Sequence, residues 1–186
     1  IIDKINRWRG FYSEADEPRQ EHASFSLSFE SFEDFADPFA RSMSMELFKA
    51  VSKEKEIEDA VPYVLWGDRP ASNEYVYIYR TDVLTEQKLE SFEKEHKAFV
   101  DGIDPDYKAV VITLLCVENS SPAFESYLNR QPRMEDFRLC ELVTGIAFDE
   151  KLMHTNILTN CPGEKNARDI RKEFLRMIRV AENYFK

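Results

Sequence analysis

The sequence predicts an α/β fold: a single domain with a mixed sheet of about five strands covered by helices, in the order ααββαβαββα, preceded by a helical, acidic, Phe-rich arm. Three observations carry this. Apolar residues recur at helical spacing near both ends of the chain, whereas between Val61 and Thr159 they mostly alternate or run on as strands do. The run Ala109 to Val117 is apolar throughout, which suits a strand covered on two faces. A helical stretch, Thr85 to Asp101, separates two strand-like segments, so a parallel crossover is the favoured connection. The arm takes residues 1–36 and the α/β domain residues 37–186.

The arm is defined by its composition. Between Phe11 and Ala40 the only Lys or Arg is Arg19, amid acids from Glu14 to Asp37. Phe25, Phe29, Phe32, Phe35 and Phe39 are spaced by four, three, three and four, which places them on one side of a helix. A buried Phe contributes roughly 1.5–3 kcal/mol, so such an edge is expected to dock. These five are the candidate binding residues, either for packing on their own domain or for a protein partner or a second copy. Asp37-Pro38 reads as an N-cap and first-turn proline, opening a second helix to about Lys55 that buries Phe39, Met43, Leu47, Phe48 and Val51.

Val61 to Trp66 and Glu74 to Arg80 read as strands joined by the turn-rich Gly67 to Asn73. Tyr75, Tyr77 and Tyr79 share one strand face, with Val76 and Ile78 on the other. The helix from Thr85 turns Leu89, Phe92, His96, Phe99 and Val100 inward and stops at Gly102. Lys108 to Val117 follows as the central strand. Ser121-Pro122 caps a short helix to about Asn129, and Gln131 to Asp136 is a loop. Phe137 to Phe148 and Leu152 to Thr159 form a hairpin about Asp149-Glu150-Lys151. Pro162-Gly163 then opens a helix carrying Ala167, Ile170, Phe174, Met177, Ile178, Ala181 and Tyr184 on one stripe.

Charge and composition narrow the function. The chain has 186 residues, with 25 Lys+Arg against 35 Asp+Glu, a net charge of −10. That argues against nucleic acid as a partner, because phosphate contacts need a positive surface. The five Gly are too scattered for a phosphate-cradling loop, and no cofactor is implied. Three Cys without CxxC spacing argue against a disulfide framework or a zinc site, and so for a reducing, cytoplasmic setting. Ile1 to Arg9 is charged and lacks the apolar core of a secretory signal. No apolar run approaches the ~20 residues of a membrane helix, so insertion by this segment is not expected.

Each chemical motif has an ordinary explanation. Glu93-x-x-His96 has metal-ligand spacing, but His96 falls on the apolar stripe and reads as a packed, hydrogen-bonded histidine. Asp101, Asp104 and Asp106 lack the calcium-loop pattern and read as a solvated acidic turn. Ser120 and Ser121 have no nucleophile elbow around them and read as helix-capping serines. His154 and Cys161 lie too far apart along an extended chain to act as a pair. Cys140 falls opposite Cys161 when counted back from the hairpin turn, as two reduced thiols. A PD-(D/E)xK nuclease would need carboxylates and a Lys on adjacent strands, and neither Asp106-Tyr107-Lys108 nor Glu86-Gln87-Lys88 provides both strands. No metal site is therefore expected.

From Val61 to Lys186 the element order resembles the cytosolic N-terminal domain of Gram-positive rhomboid-type intramembrane proteases. The residues that carry this are the strand Tyr75-Val76-Tyr77-Ile78-Tyr79-Arg80 closed by Thr81-Asp82, the apolar strand ending Leu114-Leu115-Cys116-Val117, and the terminal helix around Ala167 to Leu175. Asp82 matches the acidic position after the strand, but Thr81 offers no histidine beside it. The resemblance implies a non-catalytic cytosolic regulatory or binding domain, cut from a membrane-tethered protein whose protease serine and histidine lie in membrane helices. The alternative is a metal-dependent hydrolase or degenerate nuclease-like enzyme using Asp82 or Glu74. An enzyme should gather two carboxylates and a Lys around one cleft.

Overall fold

The computed structural model describes residues 17–45, 49–50, 63–68, 73–135 and 138–186. Among these residues eight strands form one mixed sheet: β1 (Arg19–Ser26), β2 (Lys49–Ala50), β3 (Tyr63–Asp68), β4 (Asn73–Val83), β5 (Ala109–Asn119), β6 (Met134–Glu135), β7 (Leu139–Ala147) and β8 (Leu152–Thr159). Their spatial order is β1-β8-β7-β5-β4-β3-β2, with β6 paired to β7. The helices are α1 (Phe32–Met45), α2 (Glu86–Asp101), α3 (Pro122–Leu128) and α4 (Glu164–Val180), the last continuing as a π-helical turn to Phe185. All five expected strands are present. The β4, β5 and β7 strands run parallel, and β3, β8 and β1 extend the sheet antiparallel on either side.

Strand alternation sorts the core into two layers. Even-numbered residues of β4 and β5, Val76, Ile78, Val110, Ile112, Leu114 and Cys116, join Phe32, Phe35, Phe39 and Phe174 from α1 and α4. Odd-numbered residues, Tyr77, Tyr79, Val111 and Leu115, meet Phe92, Phe124 and Tyr127 from α2 and α3. The result is a helix–sheet–helix sandwich in which every residue of β5 from Ala109 to Val117 is buried. Thr85 caps α2 by accepting from the Lys88 amide, and Ser121 caps α3 by accepting from the Phe124 amide, as Ser/Thr at these positions should.

The N-terminal region differs from its expected all-helical form. Residues 19–26 are a strand on the open edge of β8, with Arg19 opposite Thr159 and Ser26 opposite Leu152. Phe25 fits both the helical Phe spacing and a period of two. The residues between decide the matter, since polar Gln20, His22 and Ser24 alternate with Ala23 and Phe25, and pairing with β8 satisfies the backbone. The helix begins only at Phe32, with the Ser31 hydroxyl accepting from the Asp34 amide at 3.2 Å. Pro38 consequently lies inside α1 instead of opening a second helix. The Phe spacing explains why the helix runs through it: Phe35 and Phe39 stack 4.8 Å apart, and Phe39 meets Phe174 of α4 edge-on at 6.3 Å. Helix α1 ends at Met45 and β2 takes Lys49–Ala50, while Leu47, Phe48 and the stretch from Val51 to Lys55 lie outside the described residues.

Phe29, Phe32, Phe35 and Phe39 are buried in the chain's own core, and Phe25 is half-buried against it. Polar contacts reinforce this packing. Ser42 donates to Met177 O at 2.7 Å, joining α1 to α4. Glu21 of β1 receives Arg168 at 3.0 and 2.9 Å and Arg171 at 2.6 Å, and these hydrogen bonds hold its carboxyl below the usual range. Among the described residues no helix is long and apolar enough to cross a membrane.

Candidate functional site

The alternation that builds the core also builds a pocket at the amino ends of the three parallel strands. Glu74 of β4, Lys108 and Val110 at the start of β5, and Arg138 and Cys140 at the start of β7 are all even-numbered, so they share the α4 side of the sheet. Asp169, Ile170 and Glu173 of α4 form the opposite wall, and the enclosed volume is about 300 Å³. Its floor is apolar and its rim charged, the mixture common in small-molecule sites. Arg138 is held by Glu135, with Nε donating at 3.0 Å, and Asp169 pairs with Lys165 at 2.7 Å. Gly163 closes one end with φ +93°, and a Cβ there would meet Met134 Sδ at 2.9 Å. Burial pushes the Cys140 thiol up to about 12, with Cys161 and Glu141 adding to the effect, so it lines the wall as a neutral thiol.

On the other face lies a buried polar network. Glu141 of β7 is 1% exposed, yet its carboxylate accepts from Arg130, from Thr113 Oγ1 at 2.8 Å and from the Arg133 amide at 2.8 Å. Thr113 spends its one proton on Glu141, so at 2.9 Å His96 Nε2 must be the donor to that hydroxyl. The unprotonated Nδ1 then faces Arg130 Nη1 at 3.3 Å. His96 is thus the neutral tautomer, and desolvation lowers its pKa to about 4 despite the opposing pull of Glu141. Tyr127 ties the layer together, its single hydroxyl proton shared between Thr113 O at 2.9 Å and Thr144 O at 2.8 Å. A cleft of about 520 Å³ opens over Arg130, Arg133 and His96, flanked by Lys94 and Lys97 of α2.

The sequence-selected residues distribute as follows. His96 is the packed, hydrogen-bonded histidine expected of its stripe, and Glu93 is not among its partners. Asp104 and Asp106 are exposed, as is Asp101, whose carboxyl is lowered first by Lys97 and then by Arg133. Ser121 is a helix cap, but Ser120 is not: its hydroxyl lies 3.0 Å from Asp149 Oδ1 and 2.8 Å from Glu150 Oε1. Cys116, Cys140 and Cys161 are buried and free. Glu74 and Asp82 stand near opposite ends of β4, roughly 26 Å apart at a strand's rise per residue, and so cannot serve one metal. Glu74 and Lys108 do meet around one pocket with Asp169 and Glu173. Among the described residues, however, no three of His, Cys, Asp and Glu are grouped so that they could hold a metal ion.

Glu141, Arg130 and Thr113 were not singled out in the sequence. A lone Glu in an apolar strand is the available signal, since an acid at a buried position demands partners. No family model, curated protein or solved structure matches the chain.

Proposed function

We propose that the chain is a regulatory or binding domain that takes a small amphipathic ligand in the pocket between α4 and the amino ends of β4, β5 and β7. The observation that carries this reading is the pairing of an apolar floor, Val110, Cys140 and Ile170, with opposite charges on one rim, Glu74 and Glu173 against Lys108 and Arg138. Regulation, partner binding or ligand sensing is what the resemblance to rhomboid N-terminal domains implies, and we propose that cytosolic regulatory setting for the domain. A thermal-shift screen of amino acids, short carboxylates and nucleotides tests the reading. A stabilising compound should lose its effect in Val110→Trp, which fills the pocket. Stabilisation that survives this substitution would move the site elsewhere.

A second reading is a metal-dependent hydrolase: Glu74, Lys108, Asp169 and Glu173 line one pocket, although these carboxylates are not grouped closely enough to hold a metal ion as they stand. Mg²⁺- or Mn²⁺-dependent cleavage of DNA, lost in Glu74→Ala, would establish it over the binding reading.

A further inference from the structure

Strand β1 places Ser24 directly opposite His154 of β8, on the face of the sheet that carries α3. The Ser24 hydroxyl lies 2.9 Å from His154 Nδ1, and His154 Nε2 lies 3.2 Å from Glu150 Oε2. A carboxylate only accepts, so Nε2 donates to Glu150, and in the neutral ring Nδ1 is then the acceptor for the serine hydroxyl. The other oxygen of Glu150 lies 2.8 Å from the Ser120 hydroxyl, whose single proton it shares with Asp149 Oδ1 at 3.0 Å. The ring is also fixed from above. Phe124 of α3 meets it edge-on at 6.2 Å, and it comes that close because residue 145, opposite His154 on β7, is glycine. A Cβ at Gly145 would lie 2.8 Å from Phe124 Cε2 and 2.7 Å from Leu128 Cδ2.

These are the parts of an activated serine: a nucleophile in reach of a base, and the base oriented by a third group. They open onto a polar pocket of about 180 Å³ lined by His22, Ser24, Leu128, Asn129 and His154. Asn129, whose amide donates to Glu125 O at 3.0 Å, and Glu125 also line this pocket.

We infer that Ser24 is an activated nucleophile that accepts short acyl groups from activated esters, with His154 as its base and Glu150 as the positioning residue. The inference goes beyond the ligand-binding reading and does not rest on it. Ser24 Oγ attacks the ester carbonyl and its proton passes to His154 Nδ1. The tetrahedral adduct collapses to acyl-Ser24, and the leaving oxygen takes the proton from His154. Water, giving a proton to the same nitrogen, then cleaves the acyl-serine; one ester and one water yield one acid and one alcohol.

Labelling with an alkyl fluorophosphonate, read by intact-protein and peptide mass spectrometry, tests the site; fluoride leaves as the Ser24 O–P bond forms. One adduct on Ser24 is expected, absent in Ser24→Ala, at least tenfold slower in His154→Gln and unchanged in Ser26→Ala. Ser26 is the exposed serine two residues along the same strand face, and neither serine substitution disturbs the core. With p-nitrophenyl acetate, Glu150→Ala should lower kcat tenfold at unchanged KM, and Glu150→Gln, which keeps an acceptor, should recover part of it. No adduct, equal labelling of Ser24 and Ser26, or a rate indifferent to His154→Gln overturns the inference.

Discussion

Arg80 lays its guanidinium over the ring of Phe32, 4.4 Å from the ring centre, and pairs with Glu33 on the next residue of the helix. This contact fixes the start of α1 against the carboxyl end of β4, where the Phe32 amide also donates to Glu118 Oε1 at 3.0 Å. A partly buried cation–π contact contributes about 1–2 kcal/mol, whereas a pair with the largely exposed Glu33 adds little. Arg80→Ala should therefore lower unfolding stability by about 1–2 kcal/mol, and Glu33→Gln by much less. Urea titrations of both variants would check this, and equal losses would assign the effect to the ion pair.

The centre of the sheet should be the least tolerant place in the molecule. Leu114 is fully buried on β5 between β4 and β7. Leu114→Ala should cost about 2–5 kcal/mol, since both transfer energy and cavity contacts are lost. Chemical denaturation gives the value directly, and a loss under 1 kcal/mol would contradict the packing described.

His96 should make stability depend on pH over a defined window. An unfolded histidine takes up a proton near pH 6.5, whereas the folded one resists until about 4. Between those values the unfolded chain binds more protons, so stability is full above 6.5 and falls as pH drops toward 4. The loss from pH 7 to pH 5 should be about 2 kcal/mol. Denaturant titrations at intervals across this range should show a slope that flattens in His96→Gln.

The buried ion pair should reveal itself through non-additivity. Arg130→Ala leaves Glu141 charged and without its main counter-ion, at a cost of about 3–5 kcal/mol. Adding Glu141→Gln to that variant should restore part of the stability, because the remaining amide needs no counter-charge. A double-variant cycle that sums without coupling would remove the pair from the fold's stabilising contacts.

How far the sequence could be read follows from where each residue's partners lie. Strand β5 was legible because burial on both faces leaves an unbroken apolar run, and α2 and α4 because their stripes repeat locally. Strand β1 was not, since its alternation lies within the longer helical Phe spacing and its partner lies in β8. Phe25, Phe29 and Phe32 obeyed helical spacing across a strand, a connection and a helix start, so period alone misassigned the first two of them. His96 was legible as a packed residue, but its partners sit on β5, β7 and the segment after α3. Ser24 and His154 are 130 residues apart, a distance at which no local motif can register.

The pairing of β1 with β8 has a consequence for the order of folding. Strands β4, β5 and β7 can assemble with α2 and α3 through contacts close in sequence, but β1 must wait for residues synthesised about 140 positions later, as the Thr159 hydroxyl donating to Arg19 O illustrates. Closing so long a loop is entropically slow, so β1, although synthesised well before its partner, should be among the last strands to dock. Until it does, the outer edge of β8 stays unpaired, a template on which another nascent chain's β1 could settle. Exchange of β1 between two copies is therefore the misassembly to which this topology is most exposed, and its yield should rise with the rate of synthesis.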